Sequence, residues 1–268
     1  TDSYLKDEEL AVESPLCVPG TGYFEVPIYV SPIAVVVNVD GIDSINLASA
    51  TIAGIFKGDI TKWNDAAIAA DNPGVKLPDL AITAVHRSDD SGTTKNFSKY
   101  LAETAGDIWD GEVSDTFPYS SGEGASGTSG VIDAVTNGTG TIGYADFSKA
   151  AGLGVANIKV GDKFVAPSAA GAAAVVAEST VVEGRDAADL AFKINRATTD
   201  SSHYPLVLVS YIMGCQEYTD AATAALVKAY VGYIVSPEGQ AVAAKAAGSA
   251  PLTAELSAKA AAIVAAVK

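Results

Sequence analysis

The residues whose types are best suited to ligand binding or catalysis are the ten from His86 to Lys95, which read HRSDDSGTTK. A short apolar run precedes them and apolar residues at helical spacing follow, so we predict that a strand ends and a helix begins within this segment. At a helix start, several backbone N–H groups have no partner within the helix, and the helix dipole adds partial positive charge. The segment therefore predicts one wall of a pocket for a small anion.

Each residue type in this turn suits the recognition of an oxyanion. Gly92 allows an oxygen atom to approach the backbone closely, while the hydroxyl groups of Ser91 and Thr93 can donate hydrogen bonds. Arg87 supplies a planar guanidinium fork that matches a tetrahedral oxyanion, and Asp89 is placed to pair with Arg87 and fix its orientation.

Ordinary N-capping is the alternative explanation for a Ser/Thr-rich helix start, and it needs no ligand. Arg87 at the end of the strand favours the anion site. A nucleotide site is disfavoured, because the turn has too few glycines and the wrong lysine position for a G-x-x-x-x-G-K-[ST] loop.

Composition limits the classes of partner. The 268 residues include 17 Lys and Arg against 32 Asp and Glu, which gives a net charge of −15. This charge argues against a protein that coats nucleic acid or an anionic membrane, but not against one small anion, because distant surface charges are screened by salt. The chain has no run of about 18 apolar residues, so we expect a soluble protein without a transmembrane helix.

The cysteine and histidine residues do not have the spacing of a metal centre. The chain has two cysteines, Cys17 and Cys215, and two histidines, His86 and His203, and none has the spacing of a zinc site. We therefore expect no metal and no other cofactor. The cysteines form either one disulfide, which would suit an exported protein, or two separate buried thiols.

Alternating strand and helix patterns predict an α/β protein. Two long extended segments, Val26–Asn38 and Tyr204–Met213, bracket a middle stretch that has its own strands and helices. This arrangement predicts a two-lobed fold with a two-strand hinge, in which residues 1–29 and 208–268 form lobe I and residues 30–207 form lobe II. Lobe II would carry the anion site.

Shorter elements follow from residue spacing and from Gly and Pro stops. Helices are predicted at Leu47–Phe56, at Asp65–Ala70, after Thr94, at Val131–Val135 and from Ala221 onward; short strands are predicted at Leu80–Val85 and Thr141–Ala145.

Cys17 and Cys215 lie just outside the two long strands and so on one predicted lobe, and we predict that they form a disulfide.

The anion-binding segment resembles a motif of a known family. Arg87–Thr94 is similar to R-[SA]-D-G-S-G-T-[ST], which starts a helix in the periplasmic or lipid-anchored phosphate-binding proteins of phosphate-specific ABC transporters. Further similarities follow in order over most of the chain, at Gly58–Asp65, Asn72–Pro78, Gly140–Ala145 and Tyr204–Leu206. The resemblance implies a periplasmic-binding-protein-like fold, with phosphate contacts from Arg87, Ser91, Gly92 and Thr93 and with Asp89 holding Arg87.

A second stretch, Thr1–Leu5, is similar to the S-D-A-P-L stretch of the same family, whose acidic residue accepts a hydrogen bond from a protonated phosphate oxygen. The resemblance assigns this role to Asp2, whereas the residues alone would indicate a solvated side chain near a terminus. Such a carboxylate favours phosphate over sulfate, because an unprotonated sulfate oxygen would face a buried negative charge.

Two features depart from the family pattern. Asp90 occupies a position where the family usually has glycine, although aspartate tolerates a left-handed backbone better than most residues. Its carboxylate would oppose a bound anion unless it points away. The chain also lacks the family's N-terminal portion, which holds its first strand and further pocket loops, so we expect a truncated first lobe and an incomplete pocket.

The resemblance implies a protein that binds inorganic phosphate in the cleft between two lobes and delivers it to the membrane permease of an ABC transporter. Such a protein is an extracytoplasmic monomer, periplasmic, lipid-anchored at the cell surface or secreted, and is not an enzyme. Two alternatives remain: phosphate sensing or surface interaction with weak or no anion binding, and a hydrolase with Ser91 as nucleophile. The hydrolase lacks a G-x-S-x-G elbow and a histidine placed as base.

Overall fold

Helices and strands alternate along the chain, and the computed structural model describes residues 1–268. The strands are β1 (Tyr23–Asn38), β2 (Ser44–Leu47), β3 (Thr83–Arg87), β4 (Glu123–Ala125), β5 (Thr141–Asp146), β6 (Gly154–Val160), β7 (Lys163–Val165), β8 (Thr180–Val181), β9 (Phe192–Lys193) and β10 (Val207–Cys215). The helices are α1 (Asp7–Leu10), α2 (Ser49–Lys57), α3 (Ala66–Asp71), α4 (Gly92–Thr104), α5 (Gly127–Asn137), α6 (Ala169–Ala177), α7 (Ala221–Val235), α8 (Pro237–Ala247) and α9 (Ala254–Ala266). None of these helices combines the length and the apolar character that a membrane span requires.

Strand β1 runs through both parts of this two-lobed α/β fold. Over Tyr23–Pro32 it pairs antiparallel with β10, and over Ile33–Asn38 it pairs antiparallel with β5. Most of its residues are buried, which accounts for a sequence that is apolar almost without interruption. Pro27 lies where the register against β10 shifts, a position that tolerates a residue without an N–H group.

The main sheet has the strand order β2-β6-β1-β5-β3-β4. Strand β3 pairs parallel with β5 on one side and with β4 on the other, so the carboxyl ends of these three strands lie at one edge of the sheet. Helix α4 follows β3 and helix α5 follows β4 after very short turns. Two helix starts therefore lie side by side at the edge where open α/β sheets bind their ligands.

Most predicted elements are present, with ends that differ by a few residues. The prediction for Val131–Val135 placed the helix start too late, because α5 already begins at Gly127, within the Gly/Ser-rich stretch. Gly127 has a φ of 69°, a left-handed backbone conformation that residues with a Cβ atom rarely adopt. The stretch between β5 and β10 holds four more strands and α6, which the sequence patterns did not resolve.

The predicted disulfide is confirmed. Cys17 is bonded to Cys215 across a sequence separation of 198 residues. Cys215 is the last residue of β10 and lies opposite Tyr23, the first residue of β1. The bridge therefore closes one end of the two-strand ribbon that β1 and β10 form.

A buried carboxylate lies within this ribbon. Glu25 is fully buried and accepts hydrogen bonds from the Leu5 N–H at 3.0 and 3.3 Å. Arg185 donates to the Leu5 carbonyl oxygen at 2.6 Å and to the buried Asp189 at 3.3 Å. Burial disfavours the charged form and raises the pKa of Glu25 to about 7. The cluster holds Leu5, and with it the segment that carries Asp2, against β1.

Glu25 is expected to make stability depend on pH. Between pH 4.5, the ordinary pKa of this side chain, and about pH 7, the folded protein keeps a proton on Glu25 that the unfolded chain releases. The free energy of unfolding therefore falls as pH rises through this window, by on the order of 2–3 kcal/mol, and Glu25→Gln removes that contribution. Urea unfolding below and above the window measures the effect.

The Glu25→Gln variant should be more stable than the wild type above the window and should lose less stability between the two conditions. Glu13→Gln, at an exposed glutamate, is the matched control and should follow the wild type. A Glu25→Gln profile parallel to that of the wild type would contradict the assignment.

Candidate functional site

The start of helix α4 presents free hydrogen-bond donors. Ser91 is the N-cap residue, and its Oγ accepts a hydrogen bond from the Thr94 N–H at 3.3 Å. Neither the Gly92 nor the Thr93 N–H donates a hydrogen bond within the chain. The Ser91 hydroxyl hydrogen also stays available, since the oxygen acts only as an acceptor in the cap. Three donors are thus available at the positive end of the helix dipole.

Arg87 and Asp89 form a two-point ion pair beside this helix start. The Arg87 Nε donates to Asp89 Oδ1 at 2.8 Å, and a terminal guanidinium nitrogen donates to Oδ2. The Gly127 N–H, at the start of α5, also donates to Asp89 Oδ1 at 2.9 Å. The bonds from Arg87, followed by that from Gly127, hold the pKa of Asp89 far below its usual range. Asp89 therefore stays charged and fixes the Arg87 fork in place.

Tyr144 on β5 joins the elements that carry the site. Its hydroxyl group lies 2.7 Å from the Thr94 Oγ1 and accepts a hydrogen bond from the Arg87 N–H at 3.2 Å. Its ring stacks on Phe97 with 4.3 Å between ring centroids. The end of β3, the first turn of α4 and strand β5 are therefore locked together directly behind the free donors.

Asp2 reaches the same helix start from a different part of the chain. Its backbone carbonyl oxygen accepts a hydrogen bond from the Asn96 Nδ2 at 2.9 Å, and its Oδ1 accepts one from the Ser210 Oγ at 2.6 Å. The other carboxylate oxygen faces Gly92, because a Cβ atom added to Gly92 would lie 2.7 Å from Oδ2 and 2.3 Å from the Cβ of Asp2. Only glycine at position 92 allows this approach.

Asp90 does not oppose the site in the way that its position suggested. Its Oδ1 accepts a hydrogen bond from the Thr116 Oγ1 at 3.0 Å, on an exposed surface. No residue other than glycine has a positive φ, so the turn does not require a left-handed backbone at Asp90. The tolerance of aspartate for a left-handed backbone is therefore not used at Asp90, and a glycine is not needed at this position.

The structure brings the predicted anion ligands together around the start of α4: Asp2, Arg87, Ser91, Gly92 and Thr93. Sequence reasoning missed Tyr144 and Asn96, which support the site from β5 and from one turn along α4. It also missed the N–H of Gly127, for which the Gly/Ser-rich composition was the only available signal. The geometry can hold a tetrahedral oxyanion with backbone, hydroxyl and guanidinium donors while one carboxylate accepts a hydrogen bond from it.

Comparisons with known proteins give the family. A family model described as a PBP superfamily domain matches residues 1–238. The chain is 35% identical to the phosphate-binding protein PstS 3 of Mycobacterium leprae over 236 residues, which make up 86% of this chain and 63% of that protein. It is also 35% identical to the phosphate-binding protein PstS 2 of Mycobacterium tuberculosis over 253 residues, 92% of this chain and 68% of that protein.

Solved structures agree on the fold. A high-affinity periplasmic phosphate-binding protein (PfluDING) bound with phosphate superposes with a TM-score of 0.77 at 22% identity, covering 98% of this chain and 77% of that one. A human phosphate-binding apolipoprotein gives a TM-score of 0.74 at 21% identity, with 98% and 78% covered. This chain therefore belongs to the PBP superfamily and, within it, to the family of the PstS phosphate-binding proteins.

Proposed function

We propose that the protein binds inorganic phosphate at the start of helix α4. The observation that carries this proposal is the pair of unpartnered N–H groups at Gly92 and Thr93, next to an Arg87 fork that Asp89 holds in place. A phosphate dianion has enough acceptor oxygens for all of these donors. The relatives are named as phosphate-binding proteins, and their name supports the same ligand.

Asp2 is proposed to select a protonated oxyanion. Ser210 donates to one oxygen of its carboxylate, which leaves the oxygen beside Gly92 free to accept a hydrogen bond from the ligand. Phosphate carries a proton at neutral pH and can donate that bond, whereas sulfate cannot. The carboxylate therefore attracts phosphate and repels sulfate at the same point.

Closure of two lobes over the ligand is proposed to use β1 and β10 as hinge strands. Residues 1–29 and 208–268 would form lobe I, and residues 30–207 would form lobe II. The change of β1 from pairing with β10 to pairing with β5, at Pro32 and Ile33, supports a boundary in this region. Asp2 and the start of α4 would then belong to different lobes, and phosphate would bind between them.

Delivery of phosphate to the permease of an ABC transporter is the proposed biological role, and the protein is proposed to act as a monomer. The family of the chain and the disulfide between Cys17 and Cys215 both support a position outside the cytoplasm, because disulfides persist in oxidising compartments. The chain spans only 63% of the length of PstS 3 of Mycobacterium leprae, and the role of that whole protein is proposed for this one.

Binding without catalysis is proposed because neither histidine is placed to activate Ser91. The Nδ1 of His86 lies 2.9 Å from the Arg87 carbonyl oxygen, and its ring stacks on Phe117. The Nδ1 of His203 lies 2.9 Å from the Thr198 hydroxyl.

Calorimetric titration with phosphate and an assay with a chromogenic phosphate monoester test the proposal together. We expect phosphate to bind and the ester to remain intact; no phosphate binding, or ester turnover that Ser91→Ala abolishes, would refute it.

Arg87→Ala is expected to weaken phosphate binding by about tenfold or more, because it removes a charge-assisted fork and leaves the Asp89 carboxylate without its cation beside the ligand. The phosphate affinity of Arg87→Lys should lie between that of Arg87→Ala and that of the wild type, because a lysine keeps the charge but not the planar guanidinium fork. Calorimetric titration with phosphate gives the dissociation constants. Asp90→Asn is the matched control, because Thr116 holds its side chain away from the site. If Arg87→Ala bound phosphate with the same affinity as the wild type, Arg87 would not be a phosphate ligand.

Asp2→Asn is expected to reduce the preference for phosphate over sulfate by about tenfold or more, because an amide can donate to an unprotonated oxygen where a carboxylate repels it. Competition of sulfate against bound phosphate measures the preference. Ser210→Ala, which keeps the charge of Asp2 and removes one hydrogen bond to it, should retain most of the selectivity. An unchanged ratio of the two affinities in Asp2→Asn would show that Asp2 does not face the anion.

A further inference from the structure

A cavity of about 200 Å³ lies beside α4, one to two turns from the helix start. Its wall includes Lys95, Asn96 and Lys99 from α4, and Arg196 from the connection between β9 and β10. Its apolar part includes Val113, Phe192, Ile194 and Val209. The cavity thus combines several cations with an apolar surface in a chain whose net charge is −15.

Arg196 is a buried cation without a carboxylate partner. The residue is only 3% exposed, and one of its terminal nitrogens donates to the carbonyl oxygens of Pro205 and Val207 at 3.0 and 3.1 Å. The other donates to the Asn96 Oδ1 at 2.6 Å, while the Nε is buried and has no hydrogen-bond partner at all. All of its acceptors are neutral, and Glu103, which favours its charged form, forms no salt bridge with it. Burial lowers the pKa of Arg196 to about 10.

Lys99 is a second unpaired cation in the same wall. Neither it nor Arg196 takes part in any of the ten salt bridges of the chain. The Lys99 ammonium group lies 5.6 Å from the centre of the Tyr4 ring, and burial followed by the charge of Arg196 lowers its pKa. Both charges are therefore partly removed from water without an anionic partner, which is unfavourable, and a bound anion would offset this unfavourable free energy.

The other charges around the cavity are already engaged. Lys95 lies 3.8 Å from Asp115, and Lys6 lies 3.6 Å from Glu8. Asp2, the one carboxylate in the wall, accepts a hydrogen bond from Ser210 and turns its other oxygen toward Gly92. Glu103 favours the charged forms of Lys99 and Arg196, but it forms a salt bridge with neither.

We propose that this cavity is a second ligand site, which binds a small organic carboxylate through Lys99, beside the buried charge of Arg196. A carboxylate can accept a hydrogen bond from Lys99 and is attracted by the charge of the Arg196 side chain in the cavity wall, and the apolar surface suits a short hydrocarbon portion. The volume corresponds to about six or seven groups of the size of a water molecule, which fits a four-carbon acid better than a bare inorganic ion.

The second site shares Asp2 in its wall with the proposed phosphate site but uses different cations. The donors for phosphate are at Gly92, Thr93 and Arg87, whereas Lys99 lies about two helical turns further along α4. Asn96 lies between the two sites, since it donates to the Gly92 carbonyl oxygen and accepts from Arg196. Titrations with and without saturating phosphate therefore separate the sites.

Succinate is the probe, and calorimetry of the intact protein is the test, with succinamide as the uncharged control of similar shape. We expect succinate to bind with or without phosphate, succinamide to give no binding, and Lys99→Met to weaken succinate by about tenfold or more while it leaves phosphate affinity unchanged. Lys99→Met keeps the aliphatic stem of the side chain, so the packing on Tyr4 is retained. Lys245→Met, at an exposed lysine, is the matched control and should bind succinate like the wild type.

Three outcomes would overturn the proposal. No heat of binding with succinate would show that the cavity is not a carboxylate site. Equal binding of succinamide, or equal loss in Lys99→Met and Lys245→Met, would show that the charge of Lys99 is not what binds the ligand. A weak second phosphate-binding event that Lys99→Met abolishes, with no succinate binding, would assign the cavity to inorganic anions instead.

Discussion

Strand β1 forms hydrogen bonds with β10 along its first part and with β5 along its second part, and it is buried over most of its length. A strand that is buried on both faces cannot slip by one residue without exposing its apolar side chains, so its register is fixed on both sides. Both parts of the molecule are therefore built on one strand whose pairing is fixed. The segment that carries Asp2 is held on the first part of β1 through Glu25, and the sheet that carries α4 is built on the second.

The start of α4, the proposed anion site, shows how an acidic chain can present free hydrogen-bond donors. Two aspartates lie in the turn next to the free N–H groups, and each is occupied by other partners. Asp89 accepts from Arg87 and Gly127, so its charge is balanced and directed, and Asp90 accepts from Thr116 at the surface. Groups within hydrogen-bond distance determine the local potential, whereas the remaining net charge acts across solvent over more than a Debye length of about 8–10 Å.

The core of the site could be predicted from the sequence because it is local. Arg87, Asp89, Ser91, Gly92 and Thr93 lie within seven consecutive positions, and a strand followed by a capped helix fixes their arrangement. The same was true of the disulfide, once the two long strands had been placed at either side of the middle stretch.

The supports of the site could not be predicted because they depend on tertiary contacts. Tyr144, Asn96 and Arg196 are distant in sequence from one another, and nothing in their local patterns indicates the bonds that they form. The start of α5 at Gly127 was hidden by a Gly/Ser-rich composition that is typical of loops. Packing against the sheet and the bond from Gly127 to Asp89 override that local preference.

The bond between Cys17 and Cys215 places most of the chain inside one covalent ring. Every residue from β1 to β10, including the whole turn from His86 to Lys95, lies on this ring, while α7, α8 and α9 lie outside it. A single break in the backbone anywhere on the ring would leave both pieces in one molecule until the disulfide is reduced. In a compartment rich in proteases, the protein could thus be cut once at an exposed loop and still keep all of its parts together.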